Sequence, residues 1–343
     1  MAGTMAAWNE VLAEVQKTRT PQGQFDLDGV RRSKLRAVAA HTGRPLIVYA
    51  ADFLNAAKAA SAEMSVDWSD KEGFVEALND LSGDQVDVLL HSPGGMAEAA
   101  ESIVAILRER FREVRFIVPN IAKSAATMLA LSGDEILMNE ASELGPIDPQ
   151  FTFRRGDGTV FVAPAQAIID QFDDAESRIS KDPTLLAPWL PILQQYGPSL
   201  YRQAKNAIDL STAYVKEWLT KYMFRGDKDA REKAVAIAAY LSDHNKFKSH
   251  AKRIGLSDIM GTKPLNELKV IDMRKDPQLH SLVWSLYHAI TITFSMTGAF
   301  KLFENSTDRA LVRIVQQVLV AAPAQGPPAK EEPQPQSADN PSG

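Results

Sequence analysis

Hydrophobic residues in this chain fall into two kinds of run. Short continuous ones at residues 44–51, 86–90, 114–118 and 135–138 are rich in β-branched side chains and read as buried strands. Between them, residues 70–81, 96–111 and 124–131 carry apolar positions at helical spacing, the first of these preceded by Ser69 as a cap and followed by Ser82-Gly83. Strands that alternate with helices predict parallel pairing with right-handed crossovers, and so an α/β fold.

The flanks read as helical. Residues 8–15 place Trp8, Val11, Leu12 and Val15 on one face. Residues 27–41 form a second helix with Arg31, Arg32, Lys34 and Arg36 on a basic face, closed by Thr42-Gly43. Residues 163–220 are helical, but Pro183, Pro188, Pro191 and Gly197-Pro198 divide them into two helices around a proline-rich corner. Trp189 and Trp218 are expected to be packing anchors. Residues 229–241 form a further helix and 242–250 a polar loop, while Ile254-Gly255-Leu256 and Ile259 close the core. A separate segment is expected from Pro264: a helix at 280–289, a strand or helix continuation at 290–294 and an amphipathic helix at 309–319. The Pro- and Gln-rich residues 321–343 predict a disordered tail. The expected organisation is thus a helical extension (1–43), a core (44–262), a helical C-terminal segment (263–320) and the tail.

Composition narrows the chemistry. A chain of 343 residues with 45% hydrophobic content can bury one large core. A net charge of −5 argues against a nucleic-acid platform and leaves the basic residues near 31–36 as a solvated face. There is no cysteine, which excludes disulfides, thiolate metal sites and a cysteine nucleophile. The six histidines lack ligand spacing such as H-E-x-x-H, so no metal is expected. No G-x-G-x-x-G follows a strand, so no dinucleotide cofactor is expected either. With no leader-like N-terminus and no run near the roughly 18 apolar residues of a membrane span, the reading is a cytoplasmic protein without a membrane anchor.

Two turns carry the candidate chemistry. His91-Ser92-Pro93-Gly94-Gly95 ends one strand and enters a helix. The glycines let a carbonyl approach backbone N–H groups, as an oxyanion hole requires, and Gly95 and Ala125 are the expected donors with Gly94 shaping the turn. His91 is expected to buttress this turn. Ser124 opens the next helix among Ala122, Ala125 and Ala126, which leave room around its hydroxyl. A helix cap is the plain reading of such a serine and a nucleophile the sharper one.

Ser92-Pro93-Gly94-Gly95, Ser124-Ala125-Ala126-Thr127-Met128, Gly133-Asp134-Glu135-Ile136 and Leu144-Gly145-Pro146-Ile147-Asp148-Pro149-Gln150 together resemble the serine dehydrogenase proteinase family, distant relatives of the Clp protease proteolytic subunit and signal peptide peptidase A. The resemblance is dense over residues 44–150 and thinner near Ser249-His250 and Glu304-Asn305. It implies a Clp/crotonase-like parallel-sheet core with N- and C-terminal helical additions. It also implies a serine peptidase with the triad Ser124, Asp148 and His250, in which histidine and aspartate exchange places relative to the Clp subunit. A Ser–Lys dyad with Lys181 or Lys205 as base is the alternative. Lys123 and Ala126 depart from the family pattern of methionine before the serine and glycine two after it. Residues after Asp148 would lie beside the substrate groove or form a surface loop. The implied partners are a polypeptide substrate, further copies of the chain in a homo-oligomer, and a delivery partner or unfoldase. Two other readings remain: an acyl-CoA enzyme of the crotonase kind, and a non-catalytic assembly subunit.

Overall fold

The computed structural model describes residues 7–59, 63–154 and 158–315. The strands are β1 (Leu46–Ala51), β2 (Gln85–His91), β3 (Glu113–Val118), β4 (Glu135–Met138), β5 (Val270–Asp272), β6 (Ala299–Asn305) and β7 (Ala310–Ile314). They form one sheet in the order β5-β4-β3-β2-β1-β6-β7. The first four pairings from β5 to β1 are parallel, whereas β1–β6 and β6–β7 are antiparallel. The mostly parallel sheet predicted from the sequence is therefore present, with an antiparallel edge.

Alternation along the strands separates two cores. Ile47, Tyr49, Val86, Val88, Leu90, Phe116 and Val118 face the helices Ala97–Arg110, Ala125–Leu131 and Ala230–Ser242. Leu46, Val48, Leu89 and Ile117 face the opposite way, against Leu27–Thr42 and Pro277–Met296. Both sides of the sheet are covered, which is why these strands read as unbroken apolar runs. Trp218 is buried as expected, but Trp189 joins no core cluster.

The C-terminal segment differs from its helical expectation. Residues 290–294 continue the helix Pro277–Met296, but the helix predicted at 309–319 is replaced by β7 over its described part. Val312 and Ile314 are β-branched and pair through the β6 register, so the sheet edge decides a run too short for periodicity to settle. Residues 316–319 of that prediction, and the predicted tail at 321–343, lie outside the described residues. Strands β5 and β6 also return to the main sheet, making this segment mixed and not simply helical.

The N-terminal basic face is solvated only in part, with Arg36 exposed and Arg31 buried. Arg31 is buried and donates from Nε to Glu304 at 2.7 Å, and Arg32 Nε reaches the same carboxylate at 2.8 Å. Lys34 pairs with Glu14 and Arg36 with Asp308. Glu304 is fully buried on β6, so these arginines fasten the helix Leu27–Thr42 to the antiparallel edge. Removing one partner leaves an uncompensated buried charge. Chemical denaturation of Glu304→Ala is expected to show a stability loss of about 3–5 kcal/mol, and a change below ~1 kcal/mol would show that Arg31 finds another partner.

Candidate active site

The two turns predicted to carry chemistry end β2 and follow β3, at the carboxyl edge of the parallel strands, where α/β sheets place their sites. Gly94 has φ 93°, a left-handed conformation that disfavours a side chain. A Cβ there would lie 2.7 Å from the Ser124 Cβ and 2.4 Å from the Lys123 carbonyl oxygen. The Gly-Gly turn thus packs directly against the serine. Gly94 N–H donates to Ser92 Oγ at 3.2 Å, while among the described residues the N–H groups of Gly95 and Ala125 have no protein acceptor.

Ser124 stands at the start of the helix Ala125–Leu131 with φ 51° and ψ −121°. Its side chain makes no capping bond, so the plain helix-cap reading does not apply. Lys123, the unexpected neighbour, turns away: its Nζ bonds to the Leu144 carbonyl at 3.0 Å and pairs with Glu143 at 2.9 Å.

Asp148 is buried and receives three side-chain donors. His250 Nδ1 lies 2.8 Å from Oδ1, His244 Nδ1 2.9 Å from Oδ2, and Gln150 Nε2 2.8 Å from Oδ2. His250 is among the candidates that the sequence offers; His244 is not. His244 lies in the stretch read as a polar loop, which here contains the short helix His244–Phe247 capped by Asp243. The only sequence signal for it was a second histidine in the same segment.

A small three-stranded sheet brings these residues together. Ile121–Ala122 pairs with Glu143–Leu144, and Glu143–Leu144 with Ile254–Gly255. Those strands lie just before Ser124, just before Asp148 and just after His250. Ser124 and His250 then face one cleft of about 600 Å³, together with Gly94, Gly95 and Ala125. No hydrogen bond joins the Ser124 hydroxyl to His250. Lys181 and Lys205 are exposed and outside the cleft lining. The Lys205 ammonium sits 4.3 Å from the Tyr201 ring, and its hydrogen bond to Tyr201 raises its pKa, the opposite of what a general base needs. Beyond Asp148, Gln150–Arg154 forms a hairpin with Val160–Pro164, and Gln150, Phe151 and Thr152 line the cleft, so this stretch is structured and not an irregular loop. Among the described residues no cluster of side chains suits a metal ion.

His91, expected to buttress the Gly-Gly turn, instead packs its ring 4.9 Å from Phe53 and accepts the Ile121 N–H on Nδ1 at 3.4 Å. Burial pushes its pKa down to about 4. The unfolded chain, with an ordinary histidine value near 6.5, then binds more protons between about pH 4 and 6.5, so stability falls as pH drops through that window. Melting curves from pH 7 to 4 are expected to show a His91-dependent loss on the order of 3 kcal/mol, absent in His91→Phe. An equal pH dependence in both proteins would exclude this source.

The profile of the ClpP-like SDH-type serine proteinase family matches residues 64–245, more than half of the chain. Ser124, Asp148 and His244 fall within that range and His250 lies beyond its end. Among curated proteins, the chain is similar to two from Methanocaldococcus jannaschii. It is 28% identical to the uncharacterized protein MJ0137 over 61% of this chain and 65% of that one. It is 29% identical to the uncharacterized protein MJ1495 over 54% and 56%. The chain therefore spans less than two thirds of the length of either relative. Similar solved structures include two mutants of the 1510-N membrane-bound stomatin-specific protease. One, in complex with a substrate peptide, has a TM-score of 0.37 at 14% identity and covers 63% of this chain and 74% of that one. The other has a TM-score of 0.29 at 16% identity, covering 61% and 92%. On the match to its profile, this chain belongs to the ClpP-like SDH-type serine proteinase family.

Proposed function

We propose that this chain is a serine peptidase that cleaves unfolded polypeptides through an acyl-enzyme on Ser124. The observation that carries the reading is a single cleft faced by the uncapped Ser124 hydroxyl, by the free N–H groups of Gly95 and Ala125, and by His250 held on the buried Asp148. An ionised carboxylate only accepts, so Asp148 fixes the proton of His250 on Nδ1 and leaves Nε2 as the base. Ser124 Oγ attacks the scissile carbonyl while its proton passes to His250 Nε2. The carbonyl oxygen takes up the charge at Gly95 and Ala125, and His250 returns the proton to the leaving amine. Water, deprotonated by the same nitrogen, then attacks the acyl ester; the ester C–O bond breaks and His250 returns the proton to Ser124 Oγ as the acid leaves. The missing Ser124–His250 bond is compatible with this, because catalytic hydrogen bonds often tighten only in the substrate complex.

Three further features support the reading over its competitors. The surroundings of Lys181 and Lys205 favour the triad over the dyad. The acidic residues on the cleft wall are Glu63, Asp67 and Glu98, with no lysine or arginine among the lining residues, which is unfavourable for the phosphates of an acyl-CoA. Met128, Ile147 and Leu210 give the cleft apolar walls suited to an apolar side chain of an extended peptide. The helix Leu186–Leu193, with Leu186, Leu190 and Ile192 exposed, supports self-association into a homo-oligomer, and a delivery partner or unfoldase would supply the unfolded chain. With its basic helix internally paired, the chain offers little to nucleic acid, and no described helix is long and apolar enough to cross a membrane.

Hydrolysis of unfolded casein and a fluorogenic peptide library should disappear in Ser124→Ala, fall at least about 10³-fold in His250→Ala, and survive in Lys181→Ala and Lys205→Ala. Loss in a lysine variant with His250→Ala active would install the dyad instead. Gly94→Ala, which forces a Cβ onto Ser124, is expected to abolish labelling of Ser124 by a fluorophosphonate while the protein stays folded; normal labelling would mean that the turn does not shape the site.

A further inference from the structure

Lys301 lies on β6, far along the chain from the residues of the cleft, and its side chain is 1% exposed. Its ammonium donates to the Ser65 carbonyl at 2.6 Å, to Asp70 Oδ1 at 2.8 Å and to Asp67 Oδ2 at 3.3 Å. Asp70 is also buried. Its other oxygen accepts from the Tyr49 hydroxyl at 2.6 Å and from Asp67 N–H at 3.2 Å. These bonds grip the chain on both sides of Val66.

Val66 in turn grips the Gly-Gly turn. Its N–H donates to the Gly94 carbonyl at 2.7 Å, and its own carbonyl accepts from Met96 N–H at 2.9 Å. The fit leaves no slack, since a Cβ on Gly95 would lie 2.3 Å from the Val66 carbonyl oxygen. The peptide between Gly94 and Gly95 is trans, so its carbonyl and its N–H point in opposite directions. Holding the Gly94 carbonyl against Val66 therefore aims the Gly95 N–H away from Val66, on the side where it has no protein acceptor.

We infer that Lys301 is a positioning residue for the oxyanion donor: through Ser65, Asp67 and Val66 it fixes the direction of the Gly95 N–H. The inference rests on the peptidase reading above and adds to it a residue from the C-terminal strand that touches no substrate. An oxyanion donor works because it is already aimed where charge develops, so a small rotation of this peptide weakens the transition state and leaves the bound substrate little changed. A buried cation with three acceptors is suited to preventing that rotation. The same burial makes it costly unless those acceptors are kept in place.

The test compares wild type, Lys301→Met and the double variant Lys301→Met/Asp70→Asn, in which the cation and its principal carboxylate are neutralised together. kcat and KM are measured on one fluorogenic peptide, with the active fraction counted by fluorophosphonate titration and folding followed by thermal melting. The expected result is a fall in kcat on the order of 10- to 100-fold per titrated site, with KM within about threefold, and a parallel loss of affinity for a peptide boronate that imitates the tetrahedral intermediate. A folded variant with wild-type kcat per titrated site overturns the inference, as does a loss confined to melting temperature and active fraction. Where the single variant fails to fold, the neutral double variant decides between these outcomes. Absence of Ser124-dependent hydrolysis in wild type would instead remove the peptidase reading itself, so the two failures are distinguishable.

Discussion

Ser124 has φ 51° and ψ −121°, a region that a residue with a side chain enters at a cost of about 1–3 kcal/mol. Such a conformation persists only if its neighbours hold it. Lys123 N–H donates to the Ser92 carbonyl, and the Lys123 carbonyl receives Ala126 N–H at 2.8 Å. Thr127 Oγ1 bonds back to the Ala122 carbonyl and accepts Gly145 N–H at 2.9 Å. The helix behind is buried throughout, so it cannot unwind to relieve the serine without exposing Met128, Leu129 and Leu131. The consequence is a half-buried serine facing the cleft at the end of a rigid element, with Ala125 N–H next to it in the chain. In this light the lysine that departs from the family pattern is structural: its main chain holds the bend and its ammonium is tied to Leu144 and Glu143.

The small sheet of Ile121–Ala122, Glu143–Leu144 and Ile254–Gly255 joins this constraint to the rest of the site. Each of its strands is only two residues long and would not survive alone. It is stable because each is flanked by larger elements: the helix of Ser124, the hairpin after Asp148 and the helix Leu256–Gly261. Sequence separations of more than a hundred residues are thereby reduced to one local arrangement. Ile147 N–H, bonded to the Leu241 carbonyl, adds a further tie next to Asp148. The geometry of the proposed triad thus rests on backbone pairing just before Ser124 and Asp148 and just after His250.

What the sequence disclosed follows the range of the interactions involved. The two strand–turn–helix units were legible because apolar runs, Gly94-Gly95 and the small residues around Ser124 are local signals. His250 entered through a resemblance, and His244 escaped because nothing within the segment 242–250 says which histidine meets a carboxylate placed about a hundred positions earlier. The basic helix misled for the same reason: the partner of Arg31 and Arg32 is Glu304, which no window around residue 31 contains. Lys301 sits in an apolar strand where a lone lysine would ordinarily point to solvent, and only its three acceptors explain its burial. For β7 the error was one of period, since a five-residue run with Val312 and Ile314 is resolved by the neighbouring strand and not by its own pattern.

The sharing of Asp148 bears on how the proposed base is held. A buried carboxylate must recover in hydrogen bonds what it loses in hydration. Here one oxygen serves His250 alone, while the other is occupied by His244 and Gln150. A carboxylate with only one of its oxygens engaged could rotate and carry the imidazole with it. One gripped at both oxygens cannot, so His244, outside the cleft lining, and Gln150, within it, restrict the orientation of His250. Both imidazoles turn Nδ1 toward the carboxylate, which leaves each Nε2 on the far side of its ring. Only His250 also faces the cleft. Position is then what separates the histidine proposed to move the proton from the one that steadies the carboxylate.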